Sequence, residues 1–125
     1  YYTLIATGNI EIDWDGRDIY DDRRYEAANY CTDEQLLRQQ SYRETLNRLL
    51  WRFSMQNGGD EIDWENRKQY KYYIYYNHIS NKYDIDYDGF GQDFGVVYFT
   101  SREVVQRAIE EIVKPFCEKH PDFEF

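Results

Sequence analysis

The stretch from Asn29 to Gly59, NYCTDEQLLRQQSYRETLNRLLWRFSMQNGG, constrains this chain more than any other. Leu36, Tyr42 or Arg43, Leu46, Leu49, Leu50 and Phe53 recur at steps of three and four, which gathers apolar side chains on one helical face. Thr32 is placed to cap the first turn, and Gln35 sits three residues on to close a capping box. Asn57-Gly58-Gly59 supplies the left-handed residue that ends a helix. About 23 residues at ~1.5 Å rise predict a rod of roughly 35 Å, about the width of a whole small domain. The rest of the fold must be built along that rod and cover its stripe.

The covering segments carry strand signals. TLIATGNIEIDW reads as a strand or a hairpin start, with Gly8-Asn9 as turn chemistry. QYKYYIYYN puts Tyr72, Ile74 and Tyr76 on one face and Lys71, Tyr73 and Tyr75 on the other. KYDIDYD alternates, with Tyr83, Ile85 and Tyr87 inward and Lys82, Asp84, Asp86 and Asp88 outward. DGFGQD turns the chain, and FGVVYF reads as a short buried strand. DGRDIYDD shows little periodicity. A second helix follows, with Thr100 as cap and Glu103 closing a box. Its core face is Val104, Val105, Ala108, Ile109, Ile112, Val113 and Phe116, and Pro115 is expected to end or kink it near Lys114. The expected fold is α+β: a mostly antiparallel sheet with one long and one shorter amphipathic helix packed on it.

One phrase is written twice, as Glu11-Ile12-Asp13-Trp14 and as Glu61-Ile62-Asp63-Trp64. Alternation would put Ile12 and Trp14, and likewise Ile62 and Trp64, on a core face, with Glu11, Asp13, Glu61 and Asp63 toward solvent. Each copy leads to a tyrosine, an aromatic residue or cysteine, a threonine and a helix, at Tyr30-Cys31-Thr32 and at Tyr98-Phe99-Thr100. Two related β-then-α halves, residues 1–57 and 58–125 of a single domain, are one explanation, and chance recurrence of strand-end and cap chemistry is the other.

Composition decides between order and disorder. A mean hydropathy of −0.92 and 31% charged residues would favour an unfolded chain, but 19% aromatic residues oppose it. Fourteen tyrosines supply most of that content and tolerate half-burial. The net charge of −9 repels phosphate backbones, which argues against direct nucleic-acid binding and for a basic partner. Cys31 and Cys117 stand outside any metal or redox spacing, as expected in a reducing compartment; a disulfide between them is the less favoured alternative. No apolar run reaches the roughly 20 residues of a membrane span and no signal peptide is visible, so a cytoplasmic location is expected.

Several patterns invite chemistry. Asp84-x-Asp86-x-Asp88-Gly89 matches the first half of a calcium loop, but Gly95 holds the position where a bidentate glutamate is needed, and the preceding residues alternate as a strand. No metal ligand or cofactor is assigned. His78 and His120 lack a neighbouring nucleophile in sequence, and no phosphate-cradling glycine loop opens a helix, so no catalytic residue is assigned either. The carboxylates fall in three groups, Glu11 to Asp22, Asp60 to Glu65 and Asp84 to Asp93, whereas Arg38, Arg43, Arg48 and Arg52 lie on the long helix. A solvated surface is the plain explanation. The alternative is a binding face made of Glu11, Asp13, Asp15, Glu61, Asp63, Asp84, Asp86 and Asp88, with Tyr73 and Tyr75 adding the apolar contacts common at interfaces. Alternate strand residues lie ~7 Å apart, far sparser than the one charge per ~1.7 Å of duplex DNA, so a nucleic-acid mimic needs two or three acidic groups to converge.

The segment YEAANYCTDEQLLRQ with the preceding Arg24 resembles the "R-x3-GN-x-F-x-T-x-EEA" segment of small accessory proteins of phages and prophages of Gram-positive bacteria. Arg24 and Asn29 fit; Ala28 stands for the usual glycine and Leu36 for the usual alanine. KYYIYYNH and VYFTSREVVQRAIEEI resemble the "KYYIYYDH" and "YFSSKEIAEKAIEEI" parts of the same proteins, so the likeness covers most of residues 14–113. It implies a phage or prophage source and an anti-defence role of the anti-CRISPR kind, and it carries over no catalytic residue. The expected function is a non-enzymatic inhibitor of a basic host defence protein, such as a CRISPR-associated nuclease, acting in the infected cell. Self-association as an assembly or scaffolding protein, a homodimer at its simplest, is the alternative.

Overall fold

The computed structural model describes residues 1–125. The elements run β1 (Tyr2–Leu4), β2 (Ile10–Ile12), α1 (Ile19–Glu26), α2 (Glu34–Gln56), β3 (Lys71–Asn77), β4 (Lys82–Asp88), α3 (Arg102–Ala108) and α4 (Lys114–Lys119). A 3₁₀ turn at Gly59–Glu61 follows α2, and a π turn at Ile109–Val113 joins α3 to α4. The class is α+β, as expected, but the strands form two separate antiparallel hairpins, β1–β2 and β3–β4, instead of one sheet. Two compact units result, residues 1–45 with Glu124 and residues 46–123 with Phe125, and α2 contributes to both.

In the first unit, Gly8 takes φ 85° and the Ile5 amide bonds Asn9 O at 3.0 Å, closing the expected β1–β2 turn. The acidic stretch after it folds as α1, which periodicity did not reveal. Asp18 caps it by accepting from the amides of Tyr20 and Asp21, and the Asp21 carboxylate returns to the Asp18 amide. Few apolar side chains are buried here: the inaccessible positions are Thr3, Asp21, Leu37 and Ser41. Hydrogen bonds do much of the joining. Asn29 clamps β1 by accepting from Leu4 N at 2.6 Å and donating to Leu4 O at 2.8 Å, as a neighbouring strand would. Arg24 donates to the Tyr1 hydroxyl at 2.6 Å and pairs with Asp13, and Ser41 donates to Gly8 O at 2.6 Å.

The rod itself has the expected 23 residues and ends where expected, with Gly58 at φ 88°. Its start is one residue late. The cap is Asp33, accepting from Gln35 N and Leu36 N, so Leu37 turns inward and Leu36 is 66% exposed. The same offset recurs at α3, where Ser101 and not Thr100 accepts the Val104 amide at 3.2 Å. Thr-Asp and Thr-Ser each offer two adjacent capping side chains, and packing selects the second.

The second unit holds the larger apolar core. Phe53 of α2 meets Phe99, Val105, Ala108 and Ile109, and Tyr72, Ile74, Tyr83 and Ile85 close over them from the hairpin's inner face. FGVVYF is not a strand. Phe94 is fully exposed, and the contribution to pairing is a bridge between Phe99 and Tyr72. Tyr87 was expected inward and is 49% exposed. Pro115 neither ends nor breaks the helix. The preceding turn widens, with Lys114 N bonding Ile109 O five residues back, and α4 continues with the proline at its start.

Candidate functional site

The β3–β4 register assembles the candidate surface. Tyr75 stands opposite Asp84, Tyr73 opposite Asp86 and Lys71 opposite Asp88. Directly opposed residues share a face, and since Tyr72, Ile74, Tyr83 and Ile85 point to the core, these six lie on the outer face. Five of the ten residues expected to bind a partner, Tyr73, Tyr75, Asp84, Asp86 and Asp88, are thereby brought together.

Each side chain is oriented locally. Tyr73 donates to Asp86 Oδ2 at 3.5 Å, and Asn77 Nδ2 donates to Asp84 Oδ2 at 3.3 Å, with Lys82 Nζ 3.9 Å from the other oxygen. Asp88 accepts from Phe90 N and Gly91 N, which holds its carboxyl below the usual range and ties it to the loop after β4. The Tyr73 ring packs edge-on against Tyr98 at 5.7 Å, and Tyr98 meets Trp64 at 4.8 Å. Burial raises the Tyr73 hydroxyl first, and the charges of Asp86 and Asp93 raise it further. Asp93 joins the group because its amide donates to Tyr98 Oη at 2.8 Å. The Tyr73 phenol therefore stays protonated as a donor to Asp86.

Lys71 shares the face of Tyr73 and Tyr75, as expected, and is fully buried there. Its ammonium donates to Asn66 O at 2.6 Å and Gly89 O at 3.1 Å and lies 5.2 Å over the Trp64 ring. The loop carrying Trp64 thus roofs the Lys71 end of the face, leaving the Tyr75–Asp84 end open.

The two EIDW copies fold differently. In the first unit Glu11 is on β2 and exposed, but Ile12 and Trp14, expected inward, are 74% and 88% exposed. Strand β2 ends at Ile12, so alternation stops there, and Asp13 turns in to meet Arg24. Asp15 accepts from Tyr30 Oη at 3.0 Å and from Arg17 N at 3.0 Å. The second copy is not a strand: Glu61 closes the 3₁₀ turn, Asp63 accepts from Glu65 N, and Ile62 and Trp64 are half-buried. Glu61 and Asp63 are exposed.

Sequence reasoning missed Tyr98 as the ring that joins Trp64 to Tyr73, because it placed Tyr98 in a strand. It also missed the exposure of Phe90 and Phe94 in the loop that follows Asp88. Alternating residues Asp84, Asp86 and Asp88 run along a strand and do not wrap an ion, and no group of three or more acidic, histidine or cysteine side chains is arranged to hold a metal. His78 packs edge-on against Tyr76, His120 lies tilted against Phe116, and both cysteines are free thiols. No helix is long and apolar enough to cross a membrane. No protein-family model, curated protein or solved structure matches the chain.

Proposed function

We propose that this chain is a non-enzymatic binding protein that docks on a basic surface of a host nucleic-acid-binding protein through the outer face of the β3–β4 hairpin. The observation that carries the reading is the single face on which Asp84, Asp86 and Asp88 stand across from Tyr75, Tyr73 and Lys71. Carboxylates there give charge complementarity, and the half-buried Tyr73 and exposed Tyr75 give apolar area with a donor at the tip. The face differs from a copy of duplex DNA, since its carboxylates are spaced ~7 Å apart along one strand. It is a match for arginine and lysine side chains that otherwise hold phosphates. The likeness to phage accessory proteins supplies the biological setting: inhibition of a defence nuclease, with a CRISPR-associated nuclease as the target class.

The test is a titration against such a nuclease at rising salt. Affinity should fall at least about tenfold between roughly 0.05 and 0.5 M salt, as contacts between exposed charges are screened. Guide-bound target DNA should compete. Binding that is indifferent to both would remove the acidic face as the contact.

A second reading, self-association in assembly, draws on the exposed Leu36 and Trp51 of the long helix. Light scattering across concentration distinguishes it, because it requires a mass that rises above the monomer.

A further inference from the structure

The open edge of β4 can be read from the register. Tyr72 bonds Phe99 with both its N–H and its C=O, at 2.9 and 2.8 Å, on the side of β3 away from β4. Antiparallel ladders alternate pairs that exchange both bonds with pairs that exchange none. Tyr72–Tyr87 is therefore a pair that exchanges none, as are Ile74–Ile85 and Tyr76–Tyr83. The main-chain groups of Tyr83, Ile85 and Tyr87 consequently point away from β3. The Tyr87 amide is held by the Asp86 carboxylate at 2.8 Å, and those of Tyr83 and Ile85 lie on the free edge.

Beside that edge lies a groove of about 530 Å³. Residues 81–85 form one wall, and Arg102, Gln106, Ile109, Glu110 and Lys114 form the other. The second wall includes the start of the π turn, a distortion that recurs at functional positions. Its cations are already engaged: Lys114 donates to Glu110 at 2.6 Å, and Arg102 lies 5.7 Å over the Tyr72 ring. A strand edge running beside a helix is the geometry in which domains bind peptides by adding a strand.

We infer that this groove accepts an extended segment of a partner protein as a third strand against β4, and that the segment alternates basic and apolar residues. Side chains on one face of an added strand fall beside Asp84, Asp86 and Asp88, which favours lysine or arginine. Those on the other face fall beside Tyr83 and Ile85 and toward Ile109, which favours apolar residues. A second copy of this chain is a poor occupant. Antiparallel self-pairing about Ile85 would set Asp84 against Asp86 twice, and directly opposed like charges are destabilising. The inference rests on the acidic-face reading for the sign of the partner's charge and adds the main-chain geometry.

The probe is a capped peptide, Lys-Val-Lys-Ile-Lys-Val-Lys, compared with Glu-Val-Glu-Ile-Glu-Val-Glu. Amide resonances of the full chain should move at Tyr83 and Ile85 with the lysine peptide and stay in place with the glutamate peptide. Ile85→Pro deletes an edge donor while leaving the bonds to β3 intact, and should weaken the lysine peptide at least about tenfold. Should that variant fail to fold, Asp84→Lys with Asp86→Lys decides by reversing the preference between the two peptides. Absence of lysine-peptide binding, or binding that leaves the Tyr83 and Ile85 amides unmoved, overturns the strand addition. The nuclease titration stands apart from this result: loss of nuclease binding in Asp84→Lys/Asp86→Lys but not in Ile85→Pro keeps the acidic face and rejects the groove.

Discussion

The ammonium of Lys71 lies 5.2 Å from the centre of the Trp64 ring, in a site closed to solvent. No carboxylate lies within ion-pair distance of it; the carbonyls of Asn66 and Gly89 accept its hydrogen bonds, the indole face attracts the cation, and the charge of Asp88 acts on it from farther off. Gly89 is fitted to the same contact, since a Cβ there would stand 2.9 Å from Arg67 O. One side chain thereby fastens the loop before β3 to the loop after β4. Lys71→Met keeps the stem but strands two carbonyls, so it should lower unfolding free energy by about 1–3 kcal/mol in denaturant melts. Trp64 emission should shift as its cation is lost. An unchanged midpoint would show that the two loops are held by something else.

Thr3 is 1% exposed, and its hydroxyl has no hydrogen-bond partner. A buried hydroxyl without a partner costs about 1–3 kcal/mol relative to an apolar group of the same shape. Thr3→Val should therefore stabilise the chain by about 1 kcal/mol, measured by chemical denaturation, with valine also favoured in a strand. A destabilised Thr3→Val would mean that a water or side chain satisfies the hydroxyl in solution.

The elements that were legible in the sequence are those whose signals repeat over many residues. The long helix and the β3–β4 hairpin each carry periodicity over several turns or pairs, and both elements are present where expected, apart from the helix's first residue and the exposure of Tyr87. The misreadings are local. Thr32 and Thr100 are each followed by another capping residue, and a shift of one residue exchanges Leu36 for Leu37. Helix α1 is short and largely polar, stabilised by a box between two aspartates that composition alone presents as an acidic loop. Lys71 was unreadable for a different reason. Its burial depends on Trp64 and Gly89 arriving from two separate loops, a coincidence no spacing in one strand encodes. Half of the candidate site was legible because strand alternation places Tyr73, Tyr75, Asp84, Asp86 and Asp88 without reference to anything distant. Asp13 was not, because its partner Arg24 sits on the helix that had been overlooked.

Acid should loosen the fold through three carboxylates. Asp13 is held below its ordinary pKa of 3.8 by Arg24 and then by the Trp14 amide, Asp21 by the Tyr1 hydroxyl, and Asp88 by the amides of Gly91 and Phe90. A carboxyl with a lower pKa in the folded than in the unfolded state contributes stability above the unfolded value, and loses it as pH falls through the folded one. Unfolding free energy should thus be flat above about pH 5 as far as these groups decide it, and fall below roughly pH 4. Arg24→Leu removes the first cause acting on Asp13 and should flatten that acid limb. An unaltered limb in Arg24→Leu would assign the loss to other groups.

Ala28 holds φ at 55°, in the left-handed region that favours glycine. The turn it makes after α1 sends Asn29 back to clamp both main-chain groups of Leu4, so the strained backbone and the clamp are adjacent links of one connection. An alanine Cβ crowds the carbonyl in this conformation, at a cost of roughly 1–2 kcal/mol, and glycine avoids that cost while adding entropy to the unfolded chain. The first effect exceeds the second where φ is positive. Ala28→Gly should therefore raise the unfolding free energy by about 0.5–1 kcal/mol. Asn29→Ala should lower it by leaving the Leu4 amide and carbonyl unpaired, and the two changes should not add, because the clamp depends on the turn. Stabilisation by Ala28→Gly that persists undiminished in Asn29→Ala would separate the turn from the clamp and refute their coupling.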